Sequence, residues 1–115
     1  MRFRTTAAAA LGALALIVSL PGSASAADGH FTYEYTAFDG SKQTGFLFDP
    51  PSRECITLPE VADPGSSYPA DTPWNHTDAT ATVFTGPDCD GAYFTLRPFG
   101  GHASERLKLR SVVFS

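Results

Sequence analysis

The sequence predicts an all-β domain, built as a two-sheet sandwich or a small barrel. Short segments in which apolar and polar residues alternate recur after residue 27, and turn-forming residues separate them. No segment there keeps the apolar spacing of about 3.6 residues that an amphipathic helix needs. The 9 prolines and 10 glycines of the chain also disfavour long helices.

Residues 1–26 have the features of a secretory signal peptide. Arg2 and Arg4 precede an apolar run over residues 7–20, and small residues occupy positions 24–26. The run is shorter than the about 20 apolar residues that a membrane anchor requires. We therefore expect a secreted, extracellular protein with one domain over residues 27–115 and no membrane insertion after signal cleavage.

Alternation and turn residues place about six strands in this domain. The expected strands cover residues 31–36, 45–48, 54–58, 79–85, 92–96 and 107–114. The longest irregular stretch, residues 59–75, contains four prolines. We expect it to be an ordered excursion or a mobile loop, which Tyr68 and Trp74 pin to the core.

The two cysteines, Cys55 and Cys89, both lie in the predicted mature chain. In a secreted protein such a pair most simply forms one disulfide. The closed loop of roughly 35 residues would stabilise the fold by about 4 kcal/mol in the chain-entropy estimate. A reactive thiol or a metal-binding pair is the alternative.

The mature chain is acidic. Without Arg2 and Arg4 it has six basic residues against 12 acidic ones, a net charge of −6. This charge disfavours nucleic acid and anionic membranes as partners. Three alternating cations, Arg106, Lys108 and Arg110, are expected to form one solvated strand face.

One spacing occurs twice: an aromatic residue, a large residue five positions later and a glycine seven positions later. The two copies, 51 residues apart, are Tyr33, Phe38, Gly40 and Phe84, Cys89, Gly91. The spacing predicts a strand whose aromatic residue faces the core, then a tight hairpin over which the second large residue folds back. Glycine supplies the positive φ that such a turn requires.

With these two motifs the chain resembles the βγ-crystallin family in its short bacterial secreted form. Residues 107–114, with Ser111 at its usual place, look like that family's closing strand. The resemblance implies two Greek-key motifs packed as a two-sheet sandwich. It also implies that Cys89 replaces a family aromatic residue, which fits a disulfide that pins the hairpin to the Cys55 strand.

The family's calcium sites combine acidic or amide residues with a Ser/Thr-Ser pair. Before Ser111 the acidic places hold Arg106 and Leu107, which cannot ligate calcium. Asn75 and Asp78 keep part of the pattern and are the candidate calcium ligands; no other cofactor is expected. Little room remains between Asn75 and Phe84 for one key's closing strand and the next key's opening strand.

The sequence contains no motif that identifies an enzyme, such as a Gly-x-Ser-x-Gly elbow, a phosphate loop or a metalloprotease helix. The three histidines are His30, His76 and His102. They lack metal-chelating spacings and are expected to be surface residues. Asp88 and Asp90 are interpreted as turn residues and not as a glycosidase pair. We therefore expect no catalytic residues.

Most aromatic residues of so small a domain are expected in its core, with Tyr68 and Trp74 as possible ligand contacts. These observations together favour a monomeric, non-enzymatic protein with a binding or structural role outside the cell. Its expected partner is an extracellular protein or a glycan. The alternative is a secreted peptidase inhibitor of crystallin-like fold that presents the proline-rich segment 59–73 as a rigid loop.

Overall fold

Residues 25–115 are described by a computed structural model, so most of the predicted signal peptide lies outside the described residues. The described chain forms two antiparallel sheets of four strands each, which confirms the all-β, two-sheet prediction. The strands are β1 (Gly29–Thr36), β2 (Lys42–Phe48), β3 (Cys55–Thr57), β4 (Asp71–Thr77), β5 (Ala81–Phe84), β6 (Tyr93–Leu96), β7 (Gly101–His102) and β8 (Ser111–Phe114). Short 3-10 turns occupy Pro59–Val61 and Pro87–Cys89. Within residues 25–115, no helix has the length and apolar character needed to cross a membrane.

The first half of the chain (β1–β4) and the second half (β5–β8) each contribute one strand to the sheet that the other half mainly forms. The first sheet has the order β2-β1-β4-β7 and the second has the order β3-β8-β5-β6. Strand β3 leaves the first half to pair with β8, and β7 leaves the second half to pair with β4. Each sheet therefore contains three strands from one half and one strand from the other.

The core between the sheets is small and mostly aliphatic. Phe31 of β1 meets Phe114 of β8 edge to face, with ring centroids 5.5 Å apart, so one aromatic pair joins the two sheets. Tyr33 is also buried, and its hydroxyl donates a hydrogen bond of 2.7 Å to Glu60. Its ring covers Gly45 on the neighbouring strand, where any side chain would collide with it.

The structure contains two strands that the alternation pattern did not predict, β4 and β7. Strand β4 lies at the end of the stretch expected to be irregular. Buried and more exposed positions alternate along β4, but the residues on both of its faces are mostly polar, and the strand includes Pro73. The pairing with β1 is irregular between Thr32 and Glu34, and Thr72 has a φ of 52° there, so a bulge accommodates the proline.

The repeated spacing has a partly repeated structure. Gly40 and Gly91 have φ values of 89° and 91°, which confirms the predicted turn geometry at both copies. The packing predicted for the large residues is wrong at two positions. Phe38 is fully solvent-exposed and does not fold back over its turn. Phe84 is half-buried on the outer side of β5, because Ala81 and Val83 take the inward positions of that short strand.

The segment between β3 and β4 is anchored, but not by the residues expected to anchor it. The Arg110 guanidinium donates hydrogen bonds to the Val61 carbonyl at 2.9 Å and to the Ser67 carbonyl at 2.8 Å. Arg110 is thus 8% exposed, which corrects the prediction that it belongs to a solvated cationic face. Tyr68, expected to pin this segment to the core, is 76% exposed.

The predicted disulfide between Cys55 and Cys89 is present, with Cα atoms 5.9 Å apart. It joins β3 to the 3-10 turn after β5. The turn is also held by Ser111, whose hydroxyl accepts a hydrogen bond from the Cys89 amide at 2.8 Å and donates one to the Gly86 carbonyl at 2.6 Å. Strand β3, which the first half donates to the second sheet, is therefore joined covalently to the turn after β5, and Ser111 of β8 holds that turn by hydrogen bonds.

Candidate functional site

Most aromatic side chains lie on the surface, which contradicts the expectation that the core needs them. Among the aromatic residues of positions 25–115, only Phe31, Tyr33 and Phe114 are fully buried. The exposed ones are Phe38, Phe46, Phe48, Tyr68, Trp74, Tyr93, Phe94 and Phe99. Contiguous exposed apolar surface marks binding sites in small soluble proteins. The distribution of these rings therefore locates the candidate site.

Six rings gather on the outer side of the first sheet, and we call this surface the aromatic face. It consists of Phe46 and Phe48 on β2, His30 on β1, Trp74 and His76 on β4, and His102 on β7. The pairing register brings them together, because His30 lies directly opposite both Phe48 and His76. Thr32, opposite both Phe46 and Trp74, is at the centre.

The rings contact one another in an unbroken row. From Phe46 through Phe48, His30, His76 and Trp74 to His102, successive ring centroids are 5.6, 6.2, 4.7, 5.2 and 4.6 Å apart. Four of the five contacts are stacked, with interplanar angles between 4° and 27°. These are the separations at which aromatic pairs attract each other. The row curves around Thr32 and includes residues from all four strands of the first sheet.

A buried amide holds the β4 part of the face in register. The Asn75 side chain is fully buried; its Nδ2 donates to the carbonyls of Ala79, Leu96 and Arg97 at 2.8, 3.3 and 3.1 Å. Its Oδ1 accepts hydrogen bonds from the amide and the hydroxyl of Thr77. Because side chains alternate along a strand, the inward position of Asn75 turns Trp74 and His76 outward.

An ion cluster fixes the start of β4. The buried carboxylate of Asp71 lies 3.1 Å from the ammonium of Lys42 and 3.5 Å from that of Lys108. Burial acts to raise the pKa of Asp71, but hydrogen bonds from Thr72 and Lys42 and the charges of the two lysines outweigh it, so the pKa lies below its usual value. Asp71 is consequently a structural anion.

The three histidines of the described residues are neither hydrogen-bonded to carboxylates nor gathered into a metal-binding group. His102 Nδ1 is 2.9 Å from the Gly100 carbonyl, and no hydrogen bond between residues 25–115 joins a histidine to a carboxylate. In the same range, no group of three or more His, Cys, Asp or Glu side chains is placed to hold a metal ion. His76 and His102 are exposed and His30 is half-buried, in line with the expectation of surface histidines, and all three lie on one face as members of the stacked row.

The two candidate calcium ligands have structural partners. Both hydrogen bonds that Asn75 Oδ1 accepts come from Thr77, so ligation would require this buried network to break. The Asp78 carboxylate accepts a 2.8 Å hydrogen bond from the Asp28 amide, next to β1. These contacts make Asn75 a positioning residue for the aromatic face.

The two predicted ligand-contact residues belong to different surfaces. Trp74 is on the aromatic face, within β4 and not in a loop, and is 41% exposed. Tyr68 lines an open cleft of about 520 Å³ between the β1–β2 turn and the segment after β3, together with Phe38 and Glu60. Asp88 and Asp90 lie at the disulfide turn, where Asp90 Oδ1 accepts a hydrogen bond from the Gly91 amide, as turn chemistry predicts.

No protein-family model, curated protein or solved structure matches the chain. Sequence reasoning did not find the aromatic face, because it treated residues 71–75 as loop. Had residues 71–77 been interpreted as a strand, Trp74 and His76 would have shared one side of it.

Proposed function

We propose that this protein is a secreted, non-enzymatic β-sandwich that binds an extracellular partner through the aromatic face. The observation that carries the proposal is the row of six contacting rings on the outside of the first sheet. Exposed apolar surface opposes solubility and costs about 25 cal/mol for each Å² left in water. A partner that covers the face recovers this free energy.

The disulfide supports an extracellular location. Disulfides persist in oxidising compartments, and Cys55 and Cys89 form one here. The predicted signal peptide agrees with this location. A covalently closed domain with a small aliphatic core is suited to work outside the cell, where it must resist unfolding without cellular help.

The strand order supports the proposal that the fold is a βγ-crystallin-like pair of Greek keys. Each half contributes three strands to one sheet and one to the other, and each contains a hairpin glycine with positive φ. Ser111 binds the turn that carries Cys89, the position where the resemblance places an aromatic residue. Strand β4 supplies the closing strand of the first key and ends before residue 78, which leaves room for β5.

Trp74 allows a direct test, because it is the chain's one tryptophan and lies within the face. Its fluorescence would be followed while neutral glycans, acidic glycans, peptides and folded proteins are added in turn. We expect at least one class to give a saturable change that Phe48→Ala weakens and Tyr93→Ala does not. If no class changes the signal, or if both variants bind like wild type, the aromatic face is not the binding site.

Peptidase inhibition is a second candidate function, because the loop between β3 and β4 is exposed to solvent and anchored to the rest of the domain. Leu58, Val61 and Ala70 are buried, and Arg110 binds the loop backbone between them. The chain around Tyr68 is thus presented with little freedom to lose on binding. Stoichiometric loss of activity in a protease panel, relieved by Tyr68→Ala, would support inhibition, whereas cleavage of the loop would exclude it.

A further inference from the structure

We infer that the aromatic face binds a neutral polysaccharide of pyranose sugars laid across the strands of the first sheet. The inference rests on the proposed binding function and specifies its ligand. Three properties of the face support it: its size, its lack of fixed charge and its mixture of rings with hydrogen-bonding groups.

The face is too small to form a stable protein interface by itself. Four strands about 4.8 Å apart span about 14 Å, and positions two residues apart along a strand add about 7 Å in the other direction. With the width of the rings included, the face covers on the order of 200 Å², whereas a standard protein interface buries about 800 Å² on each partner. An elongated ligand a few sugar rings long fits these dimensions.

The face has no carboxylate, ammonium or guanidinium group among its members. Along β1 and β2 the next outward charged residues, Glu34 and Lys42, lie beyond Thr32 and Phe46, and at the edges of the face Arg97 borders His102 while the Asp49 carboxylate is held by the Gly29 amide. A charged ligand placed over the rings would lose hydration without an ionic partner, which is costly. The acidic composition of the chain further disfavours a polyanion. The face therefore selects a neutral ligand.

The face also contains hydrogen-bonding groups, which favour a sugar over a lipid as its ligand. Thr32 places a hydroxyl between Phe46 and Trp74, its partners across the two adjacent strands. His30 and His76 add ring nitrogens that can donate or accept hydrogen bonds. Pyranose rings present C–H groups on their faces and hydroxyls around their edges, so both kinds of group on this surface find a partner.

The test uses the oxidised protein with microcrystalline cellulose and chitin in depletion assays, and with soluble hexasaccharides of both in calorimetry. We expect binding to at least one of these glycans. Trp74→Ala and Phe46→Ala should each weaken it about tenfold or more, the loss typical of removing one stacking partner. The matched control is Tyr93→Ala, which removes an exposed ring from the second sheet and should bind like wild type.

Circular dichroism would confirm that each variant is folded, and His102→Ala would replace Trp74→Ala if the latter were not. Three results would overturn the inference. The first is that no glycan binds while a peptide or protein changes Trp74 fluorescence, which would leave the proposed function intact. The second is that Tyr93→Ala weakens glycan binding as much as Trp74→Ala does. The third is that sedimentation shows a dimer that Phe48→Ala abolishes, which would identify a second copy as the occupant.

Discussion

Replacing Asn75 with alanine tests whether the aromatic face depends on the buried amide behind it. Asn75 makes five hydrogen bonds: three from Nδ2 to carbonyls and two accepted by Oδ1 from Thr77. Neutral hydrogen bonds contribute about 1 kcal/mol each, and abandoned buried partners cost at least as much. The weakest contact, at 3.3 Å, contributes little, and the Thr77 hydroxyl retains the Ala79 carbonyl at 3.2 Å as an acceptor. We therefore expect Asn75→Ala to lower the free energy of unfolding by about 3 kcal/mol.

Urea unfolding of the oxidised protein measures this change. With an m-value of about 1.5 kcal/mol/M, the midpoint should fall by about 2 M. His76→Ala is the comparison, because His76 is the next residue on the same strand and is exposed; its loss should be about 1 kcal/mol, from its ring contacts with His30 and Trp74. Both measurements are repeated with calcium and with chelator.

A loss below about 1 kcal/mol for Asn75→Ala would refute the reasoning, since the network would then be replaceable by water. A loss that appears only in calcium would also refute it and would restore Asn75 as a ligand. The structural interpretation requires the same loss under both conditions.

Three further predictions concern other parts of the fold. Cys55→Ala with Cys89→Ala should lower the free energy of unfolding by about 4 kcal/mol in chemical denaturation, and an unchanged midpoint would show that the closed loop contributes nothing. Gly45→Ala should cost about 1–3 kcal/mol in thermal unfolding, because the Tyr33 ring must leave its place; wild-type stability would mean that the ring moves freely. The lowered pKa of Asp71 means that its stabilisation is present above its usual pKa of 3.8 and is lost as the pH falls through the lower folded value. Asp71→Asn should therefore flatten the dependence of the free energy of unfolding on pH below about 4. If the variant and the wild type lose stability in parallel as the pH falls, the assignment is contradicted.

The sequence was most informative where local chemistry decides the structure. Alternation in residues 31–36 predicted β1, and the spacing to Gly40 and Gly91 predicted two turns with positive φ, because only glycine adopts that conformation without strain. The disulfide followed from the count of cysteines in a chain predicted to be secreted. These signals need no knowledge of distant contacts.

Sequence reasoning failed where contacts between residues far apart in the chain determine the structure. Strand β4 has Pro73 and few apolar residues, and it is stable because β1 and β7 flank it and Asn75 is satisfied by carbonyls more than 20 positions away. The two-residue strand β7 has no local signal at all. The aromatic face depends on the register between these strands, so its members, far apart in the chain, could not be grouped beforehand.

The crossed strands also bear on how the protein folds. Neither residues 25–77 nor residues 81–115 contain a complete sheet, because β3 finds its partner only in β8 and β7 finds its partner only in β4. Both contacts close loops of more than 20 residues, and such non-local pairing slows folding. We therefore expect the two halves to fold together and not one after the other. The Cys55–Cys89 disulfide then links a strand of the first half to a turn of the second half. Once this bond has formed within one molecule, it opposes domain swapping, in which two molecules would exchange their halves.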